Sequence, residues 1–409
     1  MRILILGAGH NQLSAIKLAK EKGCTVIVTD YLTDAPGRKL ADYHEQVSTF
    51  DIKTNIQVAK KHQVDGVMTL GTDQPVFTAA KVAAELGLPA LISVETAKAV
   101  TNKKYMKKTF IDNNIPTVNY RLLKKNFSLE ELAGIRFPAV IKPLDSQGQR
   151  GIYKLDRGED IYHFFADVLS YSREEEILLE EYYPANEITI NGWVEKGKTY
   201  ILLITDRIVY NNYPHIGICT AQNFPPKFAQ GKFPEIKEIT EKIVRVFNIK
   251  MGPIYFQYLI GDQGLKVNEI ACRIGGGHED ESIKFLTGID ILDLTIAASL
   301  GQETDSLSFD NFQMENIKKS LSMQFICAKP GIVHSLFNSL ELIKMPGIKN
   351  ALCNLHLGQE ITQLTNASER IGYMMIEADN DQSLQSRIEN AYRHYRVIDQ
   401  WGNNLVMRF

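Results

Sequence analysis

Strand–helix alternation over the first hundred residues constrains this chain more than any other feature. Ile3–Leu6 is a short continuous apolar run of the kind buried on both faces of a parallel sheet. The turn Gly7-Ala-Gly-His-Asn-Gln follows, then a helical period over about Gln12–Lys22 with Leu13, Ile16 and Ala19 aligned. Gly23 ends that helix, and a second strand, Thr25–Thr29, runs to Asp30. A helix over about Ile52–His62, a strand over Gly66–Leu70 and a helix over Asp73–Leu86 complete the pattern, which Gly87 and Pro89 close. Such alternation specifies a doubly wound parallel sheet.

Gly7-x-Gly9, with Asp30 ending the second strand, is part of a dinucleotide fingerprint, but Gln12 stands where its third glycine belongs. A tight βα turn accounts for two glycines as well as nucleotide binding does. Open α/β sheets bind ligands at the carboxyl ends of strands. His10, Asn11 and Gln12 lie there after the first strand, and Thr72 and Asp73 after a later one. Solvent exposure of His10 and helix capping by Asp73 are equally open.

The middle of the chain carries the chemistry. A helix over about Lys98–Asp112 groups Lys103, Met106 and Phe110, with Lys103 expected as an ordinary solvated charge. An apolar strand then carries Lys142 into a polar glycine loop, Asp145–Gly151. Backbone N–H groups of such a loop and an ammonium beside it suit polyphosphate oxygens. No Gly-Lys-Ser/Thr opens a helix after it, so it is not a Walker A loop. Glu180 and Glu187 bracket a short linker between two strands, either a solvated acidic edge or a place for a purine and a ribose. The hairpin Ile254–Ile260 and Leu265–Ile270 ends in Glu269-Ile-Ala-Cys-Arg273-Ile-Gly-Gly-Gly-His278. Glu269 alternates in step with Leu265 and Val267, which puts a carboxylate on an apolar face. A buried ion pair or a metal ion would offset that cost. A three-residue loop ending in a left-handed Gly264 sets Gln257 opposite Glu269, whereas a two-residue turn sets Asn268 there.

In this order, the motifs resemble the ATP-grasp superfamily over most of the chain. The resemblance implies a Rossmann-like pre-ATP-grasp domain (1–100), an ATP-grasp domain (101–305, with a lid at about 116–185) and a small C-terminal α+β cap (306–409), an α/β and α+β architecture. It implies that Lys103 and Lys142 hold ATP phosphates under a loop containing Ser146, Gln147, Gly148 and Gly151. Glu180, Glu181, Tyr182 and Tyr183 then match the adenine linker, and Glu187 the ribose carboxylate. Gln257 and Glu269 match the metal ligands, for Mg²⁺ with Mn²⁺ as the alternative, and Arg273 and His215 the catalytic groups. His10, Asn11, Gln12, Asp73, Gly276 and His278 are the substrate contacts it suggests. Gln257 replaces the usual acid and Ala271 a common Asn ligand. Gln257 and His215-Ile-Gly are similar to the carbamoyl-phosphate synthetase large subunit, while Glu-Ile-x-x-Arg-Ile-Gly-Gly resembles carboxylate–amine ligases such as phosphoribosylglycinamide synthetase. Arg370-Ile-Gly-Tyr resembles the closing domain of amino-acid ligases, with a structural lobe as the other reading.

The implied reaction joins a small carboxylate to an amine through an acyl phosphate. A carbamoyl-phosphate-forming enzyme, a silent ATP-binding protein and a nicotinamide-dependent oxidoreductase are its rivals. A net charge of −2 argues against nucleic acid as the main partner. No apolar run is long enough for a bilayer, so no membrane partner is expected. Five scattered cysteines (Cys24, Cys219, Cys272, Cys327 and Cys353), with no Cys-x-x-Cys pair and no signal segment, suit a reducing cytoplasm. The resemblance also suggests a homodimer. Gln302–Asp310 reads as a linker, after which strands at Leu321–Cys327 and Tyr373–Glu377 and a helix at Asp381–Tyr395 show no ligand cluster.

Overall fold

The computed structural model describes residues 1–304, 309 and 311–409. Most of the expected linker Gln302–Asp310 therefore lies outside the described residues. The first domain has strands β1 (Arg2–Leu6), β2 (Thr25–Thr29), β3 (Tyr43–Glu45) and β4 (Gly66–Thr69) in a parallel sheet of order β3-β2-β1-β4. Helices α1 (Leu13–Glu21), α2 (Ile52–His62) and α3 (Pro75–Leu86) connect or follow them. The two faces of β1 go to different cores. Ile3 and Ile5 pack with Ala15 and Ile16 of α1, while Leu4 and Leu6 pack with Val58 of α2 and Val82 of α3. Burial on both faces is why the strand has no polar alternation, and each such side chain contributes about 1.5–3 kcal/mol.

The single helix expected over Lys98–Asp112 is two helices, α4 (Val94–Thr101) and α5 (Lys103–Asp112). Asn102 breaks them. Its backbone is extended, and its side chain accepts the Lys104 N–H at 3.0 Å, capping α5. This cap aims Lys103, the first residue of α5, inward.

A smaller lobe follows, built of β5 (Tyr120–Lys124), β6 (Ala139–Pro143), β7 (Tyr153–Leu155), α6 (Ile161–Ser170) and β8 (Glu176–Glu181) around its own apolar cluster. The chain continues through β9 (Asn186–Glu195), β10 (Lys198–Asn212), β11 (His215–Phe224), α7 (Phe233–Val246), β12 (Met251–Gly261) and β13 (Gly264–Ala271). Helices α8 (Glu279–Thr287) and α9 (Ile291–Ser299) come next. The C-terminal region does not form a separate sheet. Its first strand, β14 (Ser320–Ile326), pairs with β11, and Gly372–Ala378 then pairs with β14, extending one 12-stranded sheet. Among the described residues, no helix is long and apolar enough to cross a membrane.

The β12–β13 hairpin departs from the expected geometry in an informative way. Gly261 pairs with Gly264 and Ile260 with Leu265, so the loop is the two-residue Asp262-Gln263 with Gly264 at φ +83°. That register alone would set Asn268 opposite Gln257. A bulge shifts it, so that Gln257 pairs with Glu269 and Tyr258 with Val267. The same bulge changes the phase of the strand: Leu265, Val267 and Ile270 share the main core, and Glu269 is turned into a cleft instead of continuing their face.

Gly66 of β4 seats the first domain against α9. A Cβ there would lie 2.1 Å from the Ser299 carbonyl oxygen. Gly66→Ala is expected to cost about 1–3 kcal/mol by forcing the two elements apart. A thermal midpoint several degrees below wild type in a melting scan checks this, and an unchanged midpoint refutes it.

Candidate active site

Two connected cavities lie along the inner faces of β9–β13. The smaller, about 100 Å³, is walled by Lys142, Glu180, Glu181, Tyr182, Tyr183, Glu187 and Asn268 among others. The larger, about 540 Å³, is walled by His10, Asn11, Gln12, Asp73, Gln147 and Gly148 on one side, and by Glu269, Arg273, Gly276 and His278 on another. Gln149, Arg207 and Gln257 line both, so the two meet there.

The charges between them are buried and paired. Lys103 is not a solvated lysine: it is 7% exposed, ion-paired to Glu269 at 2.9 Å, and donates to the Ser146 carbonyl at 2.9 Å. Burial pushes the Glu269 carboxyl up, but Lys103 and then Lys142 hold it below its ordinary range. Glu180 is no acidic edge either. At 3% exposure it takes Lys107 at 2.6 Å on one oxygen and Lys142 on the other. Burial raises its pKa, yet the two ammonium groups outweigh that and hold it at about 2. Arg273 donates from Nε to Asp73 at 2.7 Å, tying β13's exit to the first domain. Arg207 pairs with Glu187 at 2.5 Å and donates to the Gly217 carbonyl at 3.0 Å.

Several expected residues are engaged by the protein itself. Gln12 fills the glycine turn, accepting the Gly9 N–H at 3.0 Å, while Asp30 accepts the N–H groups of Ala8 and Leu32. The turn thus serves an internal amide, and the acid that a dinucleotide ribose would need is spent on backbone. Glu181 accepts from the Arg136 guanidinium at 2.7 Å, and the Tyr183 hydroxyl donates to the Gly264 carbonyl at 2.7 Å. The loop residue Gln147 bonds the Asp73 N–H, and the Gly148 carbonyl accepts the Ala367 N–H at 2.9 Å, docking the loop onto the C-terminal region. A Cβ on Gly151 would meet the Tyr171 ring at 2.7 Å. The anion wrapped by Gly275–Gly277 is the chain's own Glu279, whose carboxylate accepts the Gly277 N–H at 2.7 Å and the Gln222 amide at 2.9 Å. His215 lines neither cavity; its ring packs on Tyr153 with centroids 5.0 Å apart. Cys272 is buried, which pushes its thiol up to about 12 and suits the expected role as a small apolar side chain.

Sequence reasoning missed Lys107, Arg207 and, in the C-terminal wall, all but the Arg370-Ile-Gly-Tyr segment. Lys107 follows Lys103 by four residues on α5, the spacing of one helix face. Arg207 follows Asp206 within the long strand β10, a pair of charges that called for buried partners. The C-terminal wall holds Phe325, Asn354, Ser368, Arg370 and Tyr373, so this region does contribute a cluster of contacts. Arg370 lies over the Phe325 ring at 4.4 Å and donates to the Ala367 carbonyl at 2.9 Å. The Asn354 amide oxygen is buried there with no partner among the described residues.

The donors facing each other across the hairpin suit a hard cation. Gln257 donates its Nε2 to the Tyr255 hydroxyl at 3.1 Å, and it pairs across the hairpin with Glu269, both lining the larger cavity. Two protein oxygens suffice for Mg²⁺, which keeps several waters and shares phosphate oxygens. No cluster of three or more His, Cys, Asp or Glu that could hold a metal occurs among the described residues.

Comparison with known proteins agrees with this layout. Residues 135–280 match the ATP-grasp domain, and residues 324–398 match L-amino acid ligase C-terminal domain 2. The chain thus combines an ATP-grasp domain with a C-terminal domain of the L-amino acid ligase type. Among individual proteins, it is 31% identical over 188 residues to the formate-dependent phosphoribosylglycinamide formyltransferase of Prochlorococcus marinus (strain MIT 9515). That match covers 44% of this chain and 47% of the relative, so the chain spans about half the length of this curated relative. The L-amino acid ligase of Bacillus licheniformis superposes with a TM-score of 0.82, at 18% identity over 98% of each chain. Phosphoribosylglycinamide synthetase from Anaerococcus prevotii gives 0.76 at 19% identity, over 98% of this chain and 99% of that one. The expected α/β and α+β ATP-grasp fold is therefore present along the whole chain.

Glu180 supplies a test. Its pKa falls from an ordinary 4.5 to about 2 on folding, so its contribution to stability is complete above pH 4.5 and lost as pH falls toward 2. Glu180→Gln, which leaves two buried lysines unpaired, is expected to cost about 3–5 kcal/mol at neutral pH. Its melting temperature is also expected to fall less steeply than wild type's between pH 4.5 and 2. Parallel slopes in scanning calorimetry would rule this out.

Proposed function

We propose that this chain is an ATP-dependent ligase that joins a small carboxylate to an amine through an acyl phosphate, releasing ADP and phosphate. One observation carries the reading: a cleft lined by the buried Lys142 opens, at Gln257 and Arg207, into a larger chamber walled by Glu269 and Arg273. The names of the similar proteins support it, since they describe a ligase, a synthetase and a formyltransferase built on this fold.

The base would lie in the smaller cavity against the linker 182–185, with Glu187 near the ribose. Lys142, on β6, and Lys103, on α5, flank the path of the phosphates, with the glycine loop above them. Both lysines are now neutralised by carboxylates, so nucleotide binding exchanges those partners for phosphate oxygens. Gln257 and Glu269 would hold Mg²⁺, which when bound neutralises charge on the phosphates. Arg273, fixed by Asp73, presents its remaining guanidinium N–H groups to the chamber and stabilises charge on the transferring phosphoryl group. The walls of the chamber keep water from the acyl phosphate until the amine arrives. Such catalysis is mostly positioning and charge neutralisation.

Substrate-dependent ADP release, measured over a panel of amino acids and other small carboxylates and amines, tests the reading. Glu269→Ala is expected to lower it at least about 10²-fold, and Arg273→Lys, which keeps the charge but loses the planar fork, by a similar factor. Wild-type turnover in both variants, or no substrate-dependent ADP release from the parent protein, sinks the assignment.

A further inference from the structure

His278 is held in a way that helix capping does not explain. It occupies the N-cap of α8, yet its side chain makes no capping hydrogen bond, and its backbone is left-handed at φ +58°. A non-glycine residue in that conformation is strained and persists only where the surroundings enforce it. Here they do. The imidazole stacks on Tyr373 with centroids 3.9 Å apart and planes at 23°. Its Nδ1 lies 3.4 Å from Glu281 Oε1. Glu281 is itself fixed, accepting the Tyr373 hydroxyl at 2.6 Å on the same oxygen and the Asn350 amide at 2.8 Å on the other. Burial pushes the Glu281 carboxyl up, but His278, Tyr373 and Asn350 hold it below its ordinary range, so it is ionised at neutral pH. A carboxylate on Nδ1 places the imidazole proton there and leaves Nε2 as a proton acceptor. His278 also lines the chamber that contains Glu269 and Arg273.

We infer that His278 is the general base that deprotonates the incoming amine, with Glu281 as its positioning residue. The inference rests on the ligase reading above. The acceptor enters as an ammonium, which has no lone pair. His278 Nε2 takes one proton, and the freed nitrogen lone pair attacks the acyl carbon. The C–N bond forms, the bond from that carbon to the phosphate oxygen breaks, and phosphate leaves with the electron pair. The nitrogen's second proton and the one on His278 then pass to solvent. Three other titratable groups face the imidazole besides Glu281: Tyr373 across the stack, Asp280 on its own helix, and His10 from the loop after β1. Burial raises the Asp280 carboxyl to about 6. Burial lowers the pKa of His10, and the neighbouring His278 lowers it further. Among the described residues the His10 ring has no carboxylate partner, which is why it is not the base.

Hydroxylamine separates this inference from the reading beneath it. It is unprotonated at neutral pH, so it traps an acyl phosphate as a hydroxamate without help from a base. The test variant is His278→Asn, because Asn tolerates the left-handed backbone. With full-length protein, ATP, Mg²⁺ and the carboxylate and amine that give most ADP release, it is expected to change hydroxamate formation by no more than a few-fold. Amide formation at pH 7 is expected to fall about 10²-fold or more. That loss narrows as pH rises and free amine accumulates in solution. Glu281→Gln shifts the pH profile in the same direction by a smaller amount. Equal pH profiles for amide formation in wild type and His278→Asn overturn the base assignment. So does an equal loss of hydroxamate and amide, which is what mere misfolding produces. Absence of hydroxamate from the wild type with every carboxylate tried refutes the ligase reading and the base together.

Discussion

Glu180 ties the molecule together. It lies near the end of strand β8, and its two oxygens are held by a lysine from α5 and a lysine from β6. A carboxylate so buried is stable only with cations on both sides, and those cations are delivered by two different parts of the chain. The helix α5 and the strands β6 and β8 are thereby brought to one point. The neighbouring pairs follow the same scheme: Lys103 with Glu269, Arg273 with Asp73, and Arg207 with Glu187 each join separate elements. Together they form a floor of alternating charge whose members have spare valence toward the cavities. Such a floor is well suited to meeting a polyanion, because its cations need only change partners and are already desolvated.

Much of this was legible from the chain, and what was not had a common cause. The alternation over residues 1–100 sorts into two faces by local periodicity alone, and β1 obeys it. The lysines at 103 and 142, the glycine loop and the acid at 269 were identifiable by type and order. Their burial was not, because it depends on partners 40 to 200 residues away, such as Asp73 for Arg273. The helix break at Asn102 was missed although Asn is a strong cap, since the flanking residues continue a helical period on both sides. Lys107 was passed over for the same reason as Lys103 was taken for a solvated charge: on an isolated helix a lysine has no visible partner.

The C-terminal region was legible only in part. Arg370 and Tyr373 belong to the Arg370-Ile-Gly-Tyr segment whose resemblance pointed to a closing domain, whereas Phe325, Asn354 and Ser368 share no motif with it. They converge because β14 docks on β11 and brings Gly372–Ala378 alongside. The sheet thus runs without a break from the β12–β13 hairpin into the wall of the chamber. A docked strand positions side chains more firmly than a loop cap would, and the Gly148–Ala367 backbone bond fastens the glycine loop to the same wall.

The bulge between Gln257 and Tyr258 on one strand and Val267 and Glu269 on the other has a consequence for how such chains diverge. Its single extra residue, Asn268, stands unpaired, and the bulge that houses it keeps Glu269 opposite Gln257 and turned to the cleft while Ile270 stays in the core. Were Asn268 taken into a regular ladder instead, it would fall opposite Gln257 and the next two residues would exchange faces, burying an acid among aliphatic side chains and turning a hydrocarbon to the cleft. A chain shortened by that one residue would need no bulge and would keep the same pairing, so the local distortion, rather than the residue count, carries the phase of the strand.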